Sequence, residues 1–106
     1  MVWIEPWYLI DINKQELFNT ELQKELHPAH ILFNSKLNAI AKSGANDDVL
    51  YSFTDGTFRV ADVHLTWKGC EETSQYPISI IYCSLDKWKS FVLYEDVFPL
   101  VDHSNT

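Results

Sequence analysis

A chain of 106 residues with 46% hydrophobic side chains holds enough apolar material for one core, and the reading is a single domain over 1–106. Its 15 acidic residues outweigh 8 basic ones, a net charge of −7, which sets it against nucleic acid and anionic lipid and makes a basic protein its natural partner. Three glycines are too few for a Gly-rich phosphate cradle, and no run approaches the roughly 20 apolar residues of a membrane span.

The N-terminal "MVWIEPWYLID" is aromatic, but Glu5 and Pro6 interrupt it and no Lys or Arg precedes Lys14, so it does not read as a signal peptide. Cys70 and Cys83 form no C-x-x-C pair and are too few to staple a secreted domain. Two reduced thiols in a cytoplasmic protein is the expectation. Trp3, Trp7 and Tyr8 either cap the core or form an aromatic patch for a partner, because Trp and Tyr anchor many interfaces.

The first predicted helix runs over 13–26. Asn13 stands as its cap with Glu16 three residues on, Ile12 and Leu17 occupy the two staple positions, and Phe18, Leu22 and Leu26 form one apolar stripe. Pro28 ends it. In "HPAH" that proline breaks the helical spacing that would set His27 and His30 on one metal, so no metal and no cofactor is expected. A strand follows over 36–42, and "SGAND" is a turn.

"DVLYSFTDGTFRVADVHLTW" predicts a hairpin about Asp55-Gly56, the dipeptide favoured in two-residue type I′ turns. In that register Phe53 faces Phe58 and Tyr51 faces Val60. The apolar side then changes between Val60 and Val63. Either both faces of the sheet are covered, or an extra residue near Ala61-Asp62 forms a bulge that returns Val63, Leu65 and Trp67 to the face of Val60; the bulge is the expectation, with Leu65 and Trp67 buried. "PISIIYC" predicts a fourth strand, and Ser84 caps a second helix over 85–94 with Trp88, Phe91 and Val92 on one face. The fold class is therefore α+β: a four-stranded antiparallel meander packed by an N-terminal and a C-terminal helix.

No serine lies in a G-x-S-x-G context, and no nucleophile or second ligand accompanies His64 at a recognisable spacing, so nothing marks a catalytic residue. What the meander does predict is an acidic rim. The loops before the second strand and after the third emerge at one end, gathering Asp47, Asp48, Glu71 and Glu72, with His64, Trp3 and Trp7 as further partner-binding candidates.

The residues "HP" at 27–28, "LNAIAKSGANDDVLYSF" at 37–53, "VHLTWKG" at 63–69, "YP" at 76–77 and Trp88 resemble a set of small, mostly uncharacterised bacterial proteins with a DDVL…VHLTW signature. The resemblance brings no catalytic residue with it. The chain is similar in general character to immunity proteins that neutralise polymorphic or contact-delivered toxins. The expected function is thus cytoplasmic toxin binding through an acidic surface, without catalysis, and the alternative is a regulatory or housekeeping interaction module.

Overall fold

The computed structural model describes residues 5–93. Five strands form one antiparallel sheet in sequence order: β1 (Trp7–Leu9), β2 (Leu37–Ser43), β3 (Asp48–Phe53), β4 (Val60–His64) and β5 (Ile78–Tyr82). The α+β meander is as expected, but it has one more strand than the four foreseen. β1 is only three residues long and pairs with the end of β2, Trp7 opposite Ser43.

The main helix α1 (Gln15–Glu25) follows a 3-10 turn over Ile12–Lys14. Its entry differs from the prediction: Asn13 caps nothing, and Asp11 caps the 3-10 turn instead, its Oδ1 accepting the Asn13 N–H at 3.0 Å, while Lys14 at the start of α1 makes no side-chain cap. An aspartate two residues earlier satisfies the first free donors, so the α-helix proper starts later. Ile12 and Leu17 are exposed, so the foreseen staple adds nothing to the core, whereas Phe18, Leu22 and Leu26 are buried as the stripe predicts.

Both faces of the sheet are covered. On the first face α1 packs on Ala39, Val49, Tyr51, Phe53, Ala61, Val63 and Leu65. On the second, Trp7 and Trp88 cover Ala41, Leu50 and Val60, the two indoles meeting edge to face at 4.9 Å. Trp88 ends a short α2 (Leu85–Trp88), which Ser84 caps by accepting the Lys87 N–H at 3.1 Å. A π turn over Lys89–Leu93 continues it, so the second helix is not the regular one predicted; Phe91 is exposed while Val92 packs on the second core, and residue 94 lies outside the described residues.

The bulge expected between Val60 and Val63 is absent: β3 and β4 pair without interruption from Ser52 opposite Val60 to Asp48 opposite His64. The extra residue sits in the hairpin loop instead. Asp55 Oδ1 accepts from the Thr57 N–H and hydroxyl at 3.0 and 2.6 Å, and Phe58 adopts φ 65°, so Phe53 N–H reaches Arg59 O at 3.0 Å and the loop is longer than a two-residue turn. This displaces the register by one, and Tyr51 faces Ala61 rather than Val60. Phe58 does not face Phe53 but lies exposed, and the Arg59 guanidinium covers the Phe53 ring at 4.1 Å.

An irregularity does occur, but in β2, where the register shifts between Ala39 and Ala41. Two residues apart, they would share a face in a regular strand; here Ala39 enters the first core and Ala41 the second. Asn19 of α1 fixes the place, accepting the Ala39 N–H at 2.8 Å and donating to Asn38 Oδ1 at 3.0 Å.

Candidate functional site

Strand alternation decides what each face presents. With β3 and β4 in the observed register, Asp48, Asp62 and His64 fall on the second face beside Leu50 and Val60, and β5 adds Ile78, Ile80 and Tyr82. The indole pair covers only part of this face. The remainder is an open cleft of about 700 Å³, bounded by Trp7 and Ser43 on one side and by β5 on the other.

Three polar groups form its floor. Asp48 and His64 are directly opposed across the strands, and Oδ1 meets Nδ1 at 2.7 Å. Asp62 Oδ2 accepts the Trp88 Nε1–H at 2.9 Å, which ties the indole of the second core to the cleft. Burial first, then the carboxylates of Asp62 and Asp48, push the Tyr82 phenol above its ordinary range. Among the described lining residues there is no Lys or Arg. Lys42 is held by the carbonyls of Ser43 and Asn46 at 2.9 and 2.7 Å.

The wall is apolar and wet: Ile78 and Ile80 are 50% and 54% exposed. Ser43, the hydroxyl at the opposite margin, is 2% exposed, and its Oγ accepts the Ala45 N–H at 3.1 Å. The arrangement therefore offers two carboxylates, an imidazole and an aliphatic ledge. These are the elements that hold a cationic side chain on a long apolar stem.

The run "VHLTWKG" has a structural explanation apart from His64. After Leu65, which is buried as expected, the chain leaves the sheet and crosses the end of α1. Glu25, fully buried, accepts the Thr66 and Trp67 N–H groups at 3.1 and 2.8 Å, and Glu21 accepts the Gly69 N–H at 3.0 Å. Positive φ at Trp67 (59°) and Gly69 (71°) turns these donors toward the helix. Burial, then the hydrogen bond with Glu21, raises the Glu25 carboxyl to about 7. Trp67 is not buried as predicted: it is 39% exposed and packs edge-on against Phe18 at 5.7 Å, because the left-handed turn carries it to the margin of the core.

The predicted acidic rim is divided by the sheet. Asp48 points to the cleft with His64, and Asp47 is exposed just before it. Glu71 and Glu72 belong to the α1 side: the Glu72 N–H donates to Glu25 O at 3.0 Å, Glu72 pairs with Lys68 at 3.6 Å, and Glu71 lies 3.9 Å from His27. Trp7 is 3% exposed and serves the second core, only edging the cleft, and Trp3 lies outside the described residues. Asp62 and the β5 isoleucines escaped the sequence reading, because placing them on the face of Asp48 and His64 requires the displaced hairpin register.

His30, weighed in the sequence only as a metal ligand beside His27, is a buried bracket: Nδ1 accepts the Leu32 N–H at 2.9 Å and Nε2 donates to Pro77 O at 2.8 Å. Both cysteines are free and exposed, so burial does not distinguish them. Among the described residues no three His, Cys, Asp or Glu side chains gather as a metal site, and no helix is long and apolar enough to cross a membrane. No protein-family model matches the chain, and neither a curated protein nor a solved structure gives a match.

Proposed function

We propose that this protein binds a basic segment of a protein partner in the cleft floored by Asp48, Asp62 and His64, and that it acts as a cytoplasmic immunity protein against a bacterial toxin. The observation that carries the binding reading is the pairing of two carboxylates with an exposed aliphatic wall. A lysine or arginine entering the cleft lays its methylenes on Ile78 and Ile80 and brings its charge to Asp48 and Asp62. The net charge of −7 steers such a partner inward. Immunity rests further on the resemblance of the DDVL…VHLTW residues and on the small, acidic character of the chain. Binding is favoured over catalysis because Ser43, the serine among the described residues that line the cleft, is buried and its hydroxyl is engaged with backbone.

Because the sheet divides the rim, charge reversal tests the reading one side at a time. In cells expressing a toxin encoded beside this gene, D48K is expected to lose protection. E71K/E72K, altered on the α1 side, is expected to retain it. Equal protection by a folded D48K variant removes the cleft from the mechanism.

A further inference from the structure

We propose that the outer edge of β5 is a pairing surface for a second copy of this chain, joining two sheets into one across a two-fold axis. The hydrogen-bond parity of the meander assigns the edge. Phe53 N–H to Arg59 O at 3.0 Å and Leu65 N–H to Asp47 O at 3.2 Å make the odd-numbered residues of β4 and its flanks the ones bonded to β3. The even-numbered ones, Val60, Asp62 and His64, therefore bond β5 through Tyr82, Ile80 and Ile78. Ser79 and Ile81 turn their N–H and C=O groups to the outside. Pro77, the odd residue before them, has no N–H to present, and its carbonyl is taken by His30 Nε2 at 2.8 Å. Among the described residues no strand pairs with this edge, which ends the sheet.

Chemistry favours a second copy as the occupant. Exposed edges are ordinarily guarded by charged side chains, since an unpaired ladder is a template for another strand. Here Thr73 to Leu85 carries no charged side chain, in a chain of net charge −7. Two copies repel each other over most of their surfaces and least along this strip. Antiparallel pairing about a two-fold axis is also self-complementary: each copy supplies the Ser79 and Ile81 groups that the other needs. It brings Ile78, Ile80 and Tyr82 of both copies onto one face, covering isoleucines that are 50% and 54% exposed in the single chain. The second copy thereby extends the open wall of the cleft with its own isoleucines and Tyr82. This holds whether or not the cleft takes a basic partner.

Sedimentation and amide hydrogen exchange on the full chain, from low to high micromolar concentration, test the proposal. The mass is expected to double, and the Ser79 and Ile81 amides to slow by about tenfold or more, while the Ile80 amide, already bonded to β4, changes little. I80K puts an ammonium group into the shared apolar strip on both sides of the axis and is expected to stay monomeric with an unchanged circular dichroism spectrum. A wild-type chain that remains monomeric throughout overturns the assignment and leaves the edge to a different chain. So does a doubled mass with Ser79 and Ile81 exchanging as fast as in dilute solution, or a folded I80K that dimerises like the wild type. If I80K does not fold, the wild-type exchange pattern decides alone.

Discussion

Replacing Glu25 by glutamine separates what its carboxyl group holds from what its burial costs. Glu25 is 0% exposed and accepts two backbone N–H groups, from Thr66 and Trp67, at 3.1 and 2.8 Å. Glutamine keeps one acceptor oxygen and turns an NH₂ toward the second donor, so one buried N–H loses its partner, at a cost of about 1–3 kcal/mol. The pH dependence is the sharper signature. The carboxyl is raised from 4.5 to about 7 in the fold, so between those values the native state binds more protons than the unfolded chain, and stability falls as pH rises through that window. The loss approaches about 3 kcal/mol if the whole shift is expressed. Glutamine does not titrate, and E25Q lacks this decline. The difference between wild type and E25Q is therefore expected to be greatest near pH 5 and to shrink or vanish by pH 8. Urea unfolding followed by tryptophan fluorescence at both ends of that range measures it. Parallel profiles for the two proteins, or a cost that grows with pH, would refute the assignment of Glu25 as a buried, proton-sharing clamp.

Tyr51 donates its hydroxyl to Phe18 O at 2.7 Å; Y51F is expected to lose about 1–2 kcal/mol in the same assay. Burial, then Glu25 and Glu21, push this phenol far above its ordinary range, so an alkaline absorbance titration should show it remaining un-ionised until the protein unfolds. Phe58 is exposed and left-handed at φ 65°, and F58G is expected to raise the melting temperature slightly, by relief of about 1 kcal/mol of backbone strain. Leu22, fully buried under α1, should cost about 2–5 kcal/mol as L22A by chemical denaturation. Deleting Ile40 removes the extra residue and leaves Ala39 opposite Tyr51 and Ala41 opposite Leu50 in strict alternation, so Ala41 and Ser43 keep their face; the near-UV tryptophan signal is expected to persist, and its loss would refute the reading of Ile40 as the inserted residue.

Long periodic segments were legible in the sequence. The stripe of Phe18, Leu22 and Leu26 predicts α1, and the β-rich runs predict β2 to β5, because in each the local pattern and the tertiary environment agree. β1 escaped because three residues hold no period. The irregularity in β2 escaped because it lies among alanines and polar residues, which do not reveal the face they serve. The hairpin register was misread at Asp55-Gly56, where the favoured two-residue turn competes with a longer loop stabilised by the Asp55 side chain and a left-handed Phe58. That single displacement hid the cleft. Glu21 and Glu25 border the apolar stripe of α1 without any local signal of a role, and only the path of the chain after Leu65 shows what they bind.

The two cores rest on unequal foundations. The first is closed by α1, clamped at both Asn19 and Glu25, whereas among the described residues the second is closed by a three-residue strand and by a single α-helical turn with the π turn that continues it, meeting through two indoles. Elements so short add few bonds of their own, and their order depends on the contact between Trp7 and Trp88. Sub-global opening should therefore begin on that side, peeling β1 and α2 from a sheet still backed by α1. Such an opening enlarges the cleft without unfolding the molecule. A partner that fills it then inherits a face whose depth is set by how far the tryptophan pair has parted.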